Sequence, residues 1–129
     1  MKLTKGKISF KLALTVLMIA SCSRNSKVET IFEIINSTNQ VVDSLTIQPD
    51  EDGSNHMVIQ PNGKAILKTD MTNMPKVDGS YYLGFKSKET FRGLNFGYYS
   101  NGYPLESITR IRIEADTIII KQEYRRSYE

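Results

Sequence analysis

The sequence has no tryptophan, one cysteine, one histidine and four prolines in 129 residues. A single cysteine excludes an internal disulfide, a CxxC redox pair and a cysteine-rich zinc site. A single histidine, His56, leaves one residue to serve as base for a serine or threonine nucleophile. Ser54 stands two positions before it, but no G-x-S-x-G elbow is present. His56 therefore reads as a solvated or locally hydrogen-bonded side chain beside a loop. No apolar run reaches the roughly 20 residues of a membrane-spanning helix. Acid is missing from the first 21 residues, which carry Lys2, Lys5, Lys7 and Lys11. That gap explains the formal charge of +3 and the pI near 9.0. The rest of the chain holds 13 basic and 14 acidic side chains, a net of −1. Such a balance offers no footprint for nucleic acid. Arg110, Arg112, Arg125 and Arg126 read as a solvated strand face and a frayed tail.

What is present begins with a leader. Met1 to Lys11 is basic, and Leu12 to Ala20 is an apolar run of signal-peptide character. Ile19-Ala20-Ser21-Cys22 follows, an aliphatic residue, two small residues and the only cysteine. This segment resembles the lipobox of bacterial lipoproteins, and in its length and order resembles small Bacteroidetes-like envelope lipoproteins; the body matches no family known to us. The resemblance implies cleavage by signal peptidase II between Ser21 and Cys22, and a covalent lipid on the Cys22 sulfur. Two or more acyl chains hold a protein stably to a membrane, at about 0.8 kcal/mol per buried methylene. An uncleaved leader would anchor the body on the same side. The implied divisions are a signal peptide over 1–21, an acylated cysteine and tether over 22–28, a folded domain over 29–124 and a tail over 125–129. Six tether residues reach at most about 20 Å. Ser23 follows the cysteine where an Asp would signal inner-membrane retention, and Arg24 and Lys27 precede the first acid, Glu29. The expected address is the outer membrane of a Gram-negative envelope, facing the periplasm.

After the leader the pattern is β throughout. Thr30 to Ile35 is β-branched and aromatic, and ends in the turn formers Asn36 to Gln40. Val41 to Ile47 alternates, and Pro49 to Asn55 is a loop by composition. Met57 to Ile59 and Ala65 to Leu67 flank Pro61-Asn62-Gly63, whose Asn-Gly pair is a hairpin signal. Asp70 to Gly79 is a longer connection. Tyr81, Leu83 and Phe85, then Leu94, Phe96 and Tyr98, put large apolar groups at every second position. Asn101-Gly102 marks a turn. Ile108 to Glu114 and Thr117 to Lys121 form a terminal hairpin, with Ile111 and Ile113 inward and Arg110 and Arg112 outward. About seven or eight short strands with a turn signal every 8 to 12 residues predict an antiparallel β-sandwich, immunoglobulin-like or transthyretin-like. A small closed barrel is the alternative.

Two local concentrations carry chemistry. Asp50-Glu51-Asp52-Gly53-Ser54-Asn55 offers hard oxygens, and Asp50, Asp52 and Asn55 are the side chains that would ligate calcium. Gly stands fourth and no Glu closes the loop, so an acidic turn is the expected reading and no cofactor other than the lipid is expected. The second concentration is aromatic and glycine-rich, from Phe91 to Pro104, with Tyr81 and Tyr82 before it. Alternation sends Tyr81 and Tyr98 inward and leaves Tyr82, Tyr99 and Tyr103, with Asn101, as a surface face. The bland alternative is that these rings only cover the edge of a core. The function expected is a non-enzymatic, membrane-anchored binding or assembly module. A glycan-binding module and a periplasmic inhibitor or immunity-type protein are the alternatives, and an envelope protein or a glycan is the expected partner. A hydrolase is least favoured.

Overall fold

The computed structural model describes residues 26–50 and 53–125. In chain order its strands are β1 (Glu29–Asn36), β2 (Val42–Gln48), β3 (Met57–Ile59), β4 (Lys64–Asp70), β5 (Gly79–Ser87), β6 (Thr90–Ser100), β7 (Tyr103–Pro104), β8 (Glu106–Ile113) and β9 (Ile118–Tyr124). No described residue is helical, and none belongs to a segment long and apolar enough to cross a membrane as a helix.

Alternation builds these strands. In β1 the side chains of Thr30, Phe32, Ile34 and Asn36 are buried while Glu29, Ile31, Glu33 and Ile35 face outward. The strands form two sheets, β4-β1-β8-β9 and β3-β2-β5-β6-β7, the all-β sandwich that the sequence predicts. Pairing is antiparallel except between β1 and β8, which run parallel with Ile31 opposite Ile108 and Ile35 opposite Arg112. The sheets meet over Phe32, Ile34, Leu45, Ile47, Leu83, Phe85, Ile111 and Ile113, all essentially inaccessible. Burying each such side chain contributes about 1.5–3 kcal/mol. Phe32 meets Tyr81 and Phe96 of the opposite sheet edge-on, with ring centres 5.2 and 5.8 Å apart. The chain joins the fold at Val28, whose N–H donates to Thr72 Oγ1 at 3.0 Å and whose carbonyl accepts from the Met71 N–H at 2.7 Å.

The Asn62-Gly63 signal does not make a hairpin. A turn forms there, with the Gly63 N–H donating to the Gln60 carbonyl at 2.9 Å, but β3 pairs with β2 and β4 pairs with β1. The chain thus crosses from one sheet to the other at this corner. Asn36 holds that corner together. Its buried Nδ2 donates to the carbonyls of Gln40, Ile59 and Gln60, and its Oδ1 accepts from the Thr38 N–H and hydroxyl. The end of β1 therefore grips the end of β3 across the sandwich.

Three bulges interrupt the alternation, each turning two residues three apart toward the core. On β2 the extra residue near Ser44, at φ 50°, buries both Val42 and Leu45. On β6, Phe96 pairs with Tyr81 and Tyr99 with Gly79, so two residues of β6 oppose one of β5. On β8, Glu106 and Ile108 face the adjacent residues Tyr124 and Glu123, and both Glu106 and Thr109 point inward.

Candidate functional site

The outer face of the five-stranded sheet is built from a glycine pair. Gly84 of β5 stands opposite Gly93 of β6, between the pairs Tyr82–Asn95 and Lys86–Phe91. With no side chain on either glycine, the neighbouring rings lie down on the sheet. A Cβ on Gly93 would fall 2.8 Å from Cζ of Tyr82, and one on Gly84 would fall 3.0 Å from Cζ of Phe91 and 3.1 Å from Cε1 of Tyr82. The two rings thus recline over the glycines from opposite sides and bury Gly84 beneath them. They remain open to solvent above, Tyr82 at 36% and Phe91 at 59%. Gln48 and Asn95 flank Tyr82 across the register, Thr46 continues the glycine row, and Lys86 stands beside Phe91. The result is an aromatic shelf with an amide, hydroxyl and ammonium rim. Arg92, on the inward side of β6, lies 5.4 Å from the Phe85 ring centre and donates to the Glu114 and Ala115 carbonyls.

The rings expected at the surface are therefore divided. Tyr82 is on the shelf. Tyr99 is not at the surface: it is 9% exposed and packs against Tyr81 at 5.5 Å, while Tyr98 takes the outward position. The β6 bulge causes this inversion, and Gly97 permits it. At φ 60° a Cβ on Gly97 would meet Gln122 Nε2 at 2.7 Å and Glu106 Oε1 at 2.9 Å. Glu106, itself 1% exposed, bolts the bulge from the other sheet. Its Oε1 accepts from the Tyr98 N–H at 3.1 Å and from Gln122 Nε2 at 2.5 Å. Burial and the Glu106 carboxylate push the Tyr81 hydroxyl well above the usual tyrosine range.

Asn101 and Tyr103 form a separate tip. Asn101, at φ 52°, and Gly102, at φ 74°, make the turn from β6 to β7. The Asp78 carboxylate gathers the Ser100 hydroxyl at 3.0 Å and the Asn101 N–H at 2.8 Å. A hydrogen bond from Tyr98, with those from Asn101 and Ser100, holds Asp78 below the usual carboxylate range, and the same carboxylate raises Tyr98. The Lys76 ammonium lies 4.4 Å from the Tyr103 ring centre and covers one of its faces.

The acidic loop is a structural clasp in the residues described. The Asn55 N–H donates to Asp50 Oδ2 at 3.1 Å, and Asn55 Nδ2 donates to the Ile47 carbonyl at 2.6 Å. Both residues border a polar hollow of about 280 Å³ with Lys68 and Asp70. Asp52, the third ligand considered, lies outside the described residues, as do Ser21 and Cys22. No group of three His, Cys, Asp or Glu among the described residues could hold a metal ion. His56 is exposed.

Sequence reasoning missed Phe91, Tyr98 and Glu106. Gly84 and Gly93 in facing strands were the signal for the shelf, and Gly97 was the signal for the bulge.

Comparison with known proteins adds one likeness. No family model matches the chain, and no curated protein matches it. Among solved structures, the fold is similar to the N-terminal domain of AlgF from P. aeruginosa, at 16% identity and a TM-score of 0.47, over 75% of this chain and 95% of that one.

Proposed function

We propose that this chain is a membrane-tethered envelope lipoprotein whose folded domain binds a saccharide, without catalysis, on the shelf of Tyr82 and Phe91. The observation that carries the reading is the pair of open rings, Tyr82 reaching over Gly84 and Gly93 and Phe91 over Gly84. A pyranose presents a face of axial C–H groups, and these meet the electron-rich face of an aromatic ring favourably. The equatorial hydroxyls then point sideways, where Asn95, Gln48 and Lys86 offer donors and acceptors. The lipobox Ile19-Ala20-Ser21-Cys22 supports the tether, and the acid-free leader supports export.

Glycan-array binding by the full chain in detergent, followed by titration of the best ligand, tests the site. Tyr82→Ala and Phe91→Ala are each expected to weaken binding about tenfold, and Tyr103→Ala to leave it unchanged. Binding that survives loss of both shelf rings would sink the reading. The tether has its own test: an alkynyl fatty acid should label wild type and not Cys22→Ala.

A further inference from the structure

The opposite face of the sandwich has a different chemistry, and nothing in the proposed function uses it. On the outer side of the four-stranded sheet, three successive rows run across the strands. Lys64, Ile35, Arg112 and Ile119 stand side by side, then Ile66, Glu33, Arg110 and Lys121, then Lys68, Ile31, Ile108 and Glu123. These rows hold five cations and two carboxylates, a net of +3 in a domain whose whole charge is close to neutral. Both carboxylates are taken by one residue, since Arg110 pairs with Glu33 at 2.8 Å and with Glu123. Lys64, Lys68, Arg112 and Lys121 make no ion pair with any described residue. Between the cations lie isoleucines, with Ile66 at 64% and Ile119 at 37% exposure. Ile35 and Ile119 line a shallow groove of about 220 Å³ beside Arg112 and Lys121.

We infer that this face lies on the anionic phospholipid surface to which the chain is itself anchored. Two properties of the molecule select that occupant. Long basic side chains among aliphatic ones suit a surface that is negative outside and apolar beneath, because the stems and isoleucines enter the interface while the charges stay with the phosphates. The chain before β1 also places the face there. A tether over 22–28 reaches at most about 20 Å, close to the length of β1 itself. It joins the fold at Val28, next to Glu29, which pairs with Asp70 at the acidic end of this sheet. Of the uncompensated cations, Lys64 and Arg112 sit at the other end of β1, beside Ile35, and Lys121 one row nearer, while Lys68 stands opposite Ile31 on the tether side. The anchor thus holds one end of this face and the cations run along it to the far end, which lays the sheet down and turns the aromatic shelf away from the bilayer. The inference takes its proximity from the tether of the proposed function and its orientation from the charge.

The absence of tryptophan gives a clean experiment. Ile66→Trp on the basic face and Phe91→Trp on the shelf each create a single reporter in the full chain, reconstituted into phosphatidylcholine vesicles with or without phosphatidylglycerol. The emission of Ile66→Trp should move to the blue and be quenched by brominated lipid only when phosphatidylglycerol is present. High salt, or Lys64→Glu with Arg112→Glu and Lys121→Glu, should abolish the change, while Phe91→Trp should not respond. An unshifted Ile66→Trp in anionic vesicles overturns the inference, as does an equal response from both reporters. A blue shift that depends on protein concentration in detergent alone overturns it in favour of a second copy. Flotation and the mass of the Cys22 peptide report the anchor separately, so a lost tether appears as unfloated, unlipidated protein and lost docking as floated protein with an unshifted Trp. The Cys22→Ala chain added to the same anionic vesicles should still shift, at higher lipid concentration.

Discussion

The two outer faces of this sandwich start from the same period of two and end with opposite surfaces. On the four-stranded sheet the register runs unbroken from Lys64 opposite Ile35 to Lys68 opposite Ile31, and every outward position carries a long side chain. On the five-stranded sheet two bulges and a facing glycine pair break the ladder, and the large rings lie flat or change sides. A regular ladder projects its side chains as a uniform pile, suited to a broad and unspecific surface. An interrupted ladder can lay a ring down or invert a pair, which is what a shaped site requires. The contrast makes the irregular positions of the second sheet, with the Glu106 carboxylate that braces one of them from the single bulge of the first, the ones whose alteration should be felt most.

The largest effect is expected at Glu106. Replacing it with Ala leaves the Tyr98 N–H and the Gln122 amide without their acceptor inside the domain. The expected loss is about 3 kcal/mol, read as a lower urea midpoint, with a smaller loss for Glu106→Gln. The same variant should leave the rows of the basic face in register, visible as unchanged cross-strand NMR contacts between β1 and β4. Equal loosening of both sheets would erase the distinction drawn between them.

Next in size is Gly93→Ala. The added methyl occupies the place of the Tyr82 ring and must lift it, because Cζ lies 2.8 Å away and the hydroxyl nearer still. Stability should change by no more than about 1 kcal/mol, since alanine also restricts the unfolded chain. Saccharide binding should fall about tenfold, measured by titration calorimetry. Loss of binding without loss of fold is the signature of a shelf, and a variant that binds as well as wild type would show that the flat ring is incidental.

How much of this was legible in the sequence follows from the same contrast. Period two located the strands, because Thr30 to Ile35 and Ile108 to Glu114 are uninterrupted, and Ile111 and Ile113 are indeed buried with Arg110 and Arg112 outside. It failed at Tyr98 and Tyr99, because one extra residue in β6 flips every side chain beyond it, and only Gly97 hinted at that. It could not assign β3 and β4 to different sheets. The Asn62-Gly63 turn is local, whereas the bonds that hold the crossing come from Asn36, more than 20 positions away in sequence. The shelf was half legible: Tyr82 was named, but its partner Phe91 needed the pairing of Gly84 with Gly93, which no window of one strand contains.

A smaller effect, confined to the tip of the aromatic sheet, is expected with acid. Asp78 has a depressed pKa in the fold, so its contribution is complete above the ordinary carboxylate range and is lost as pH falls through the lowered value. The turn at Asn101 and Gly102 should loosen there before the domain unfolds, seen as amide shift changes at Ser100 and Asn101. Asp78→Asn should show that loosening at neutral pH and remove its pH dependence. A tip that stays ordered in the variant would place the hold elsewhere, on Lys76 and Tyr103.

The smallest effect on stability is expected at the most conspicuous ion pairs in the molecule. Arg110 holds Glu33 and Glu123 at once, and the two carboxylates raise its pKa further. All three groups are open to water, where screening and side-chain entropy cancel most of the attraction. Arg110→Gln should therefore leave the urea midpoint unchanged within error at any salt concentration. On the proposed membrane face the same substitution has a different consequence. It frees two carboxylates among Lys64, Arg112 and Lys121, and the anionic-vesicle response of an Ile66→Trp reporter should weaken in proportion. A residue that matters for docking and not for folding is what a surface shaped by its partner contains. If Arg110→Gln instead unfolds the domain, the ladder of that sheet depends on its charges and the two faces are less unlike than their chemistry suggests.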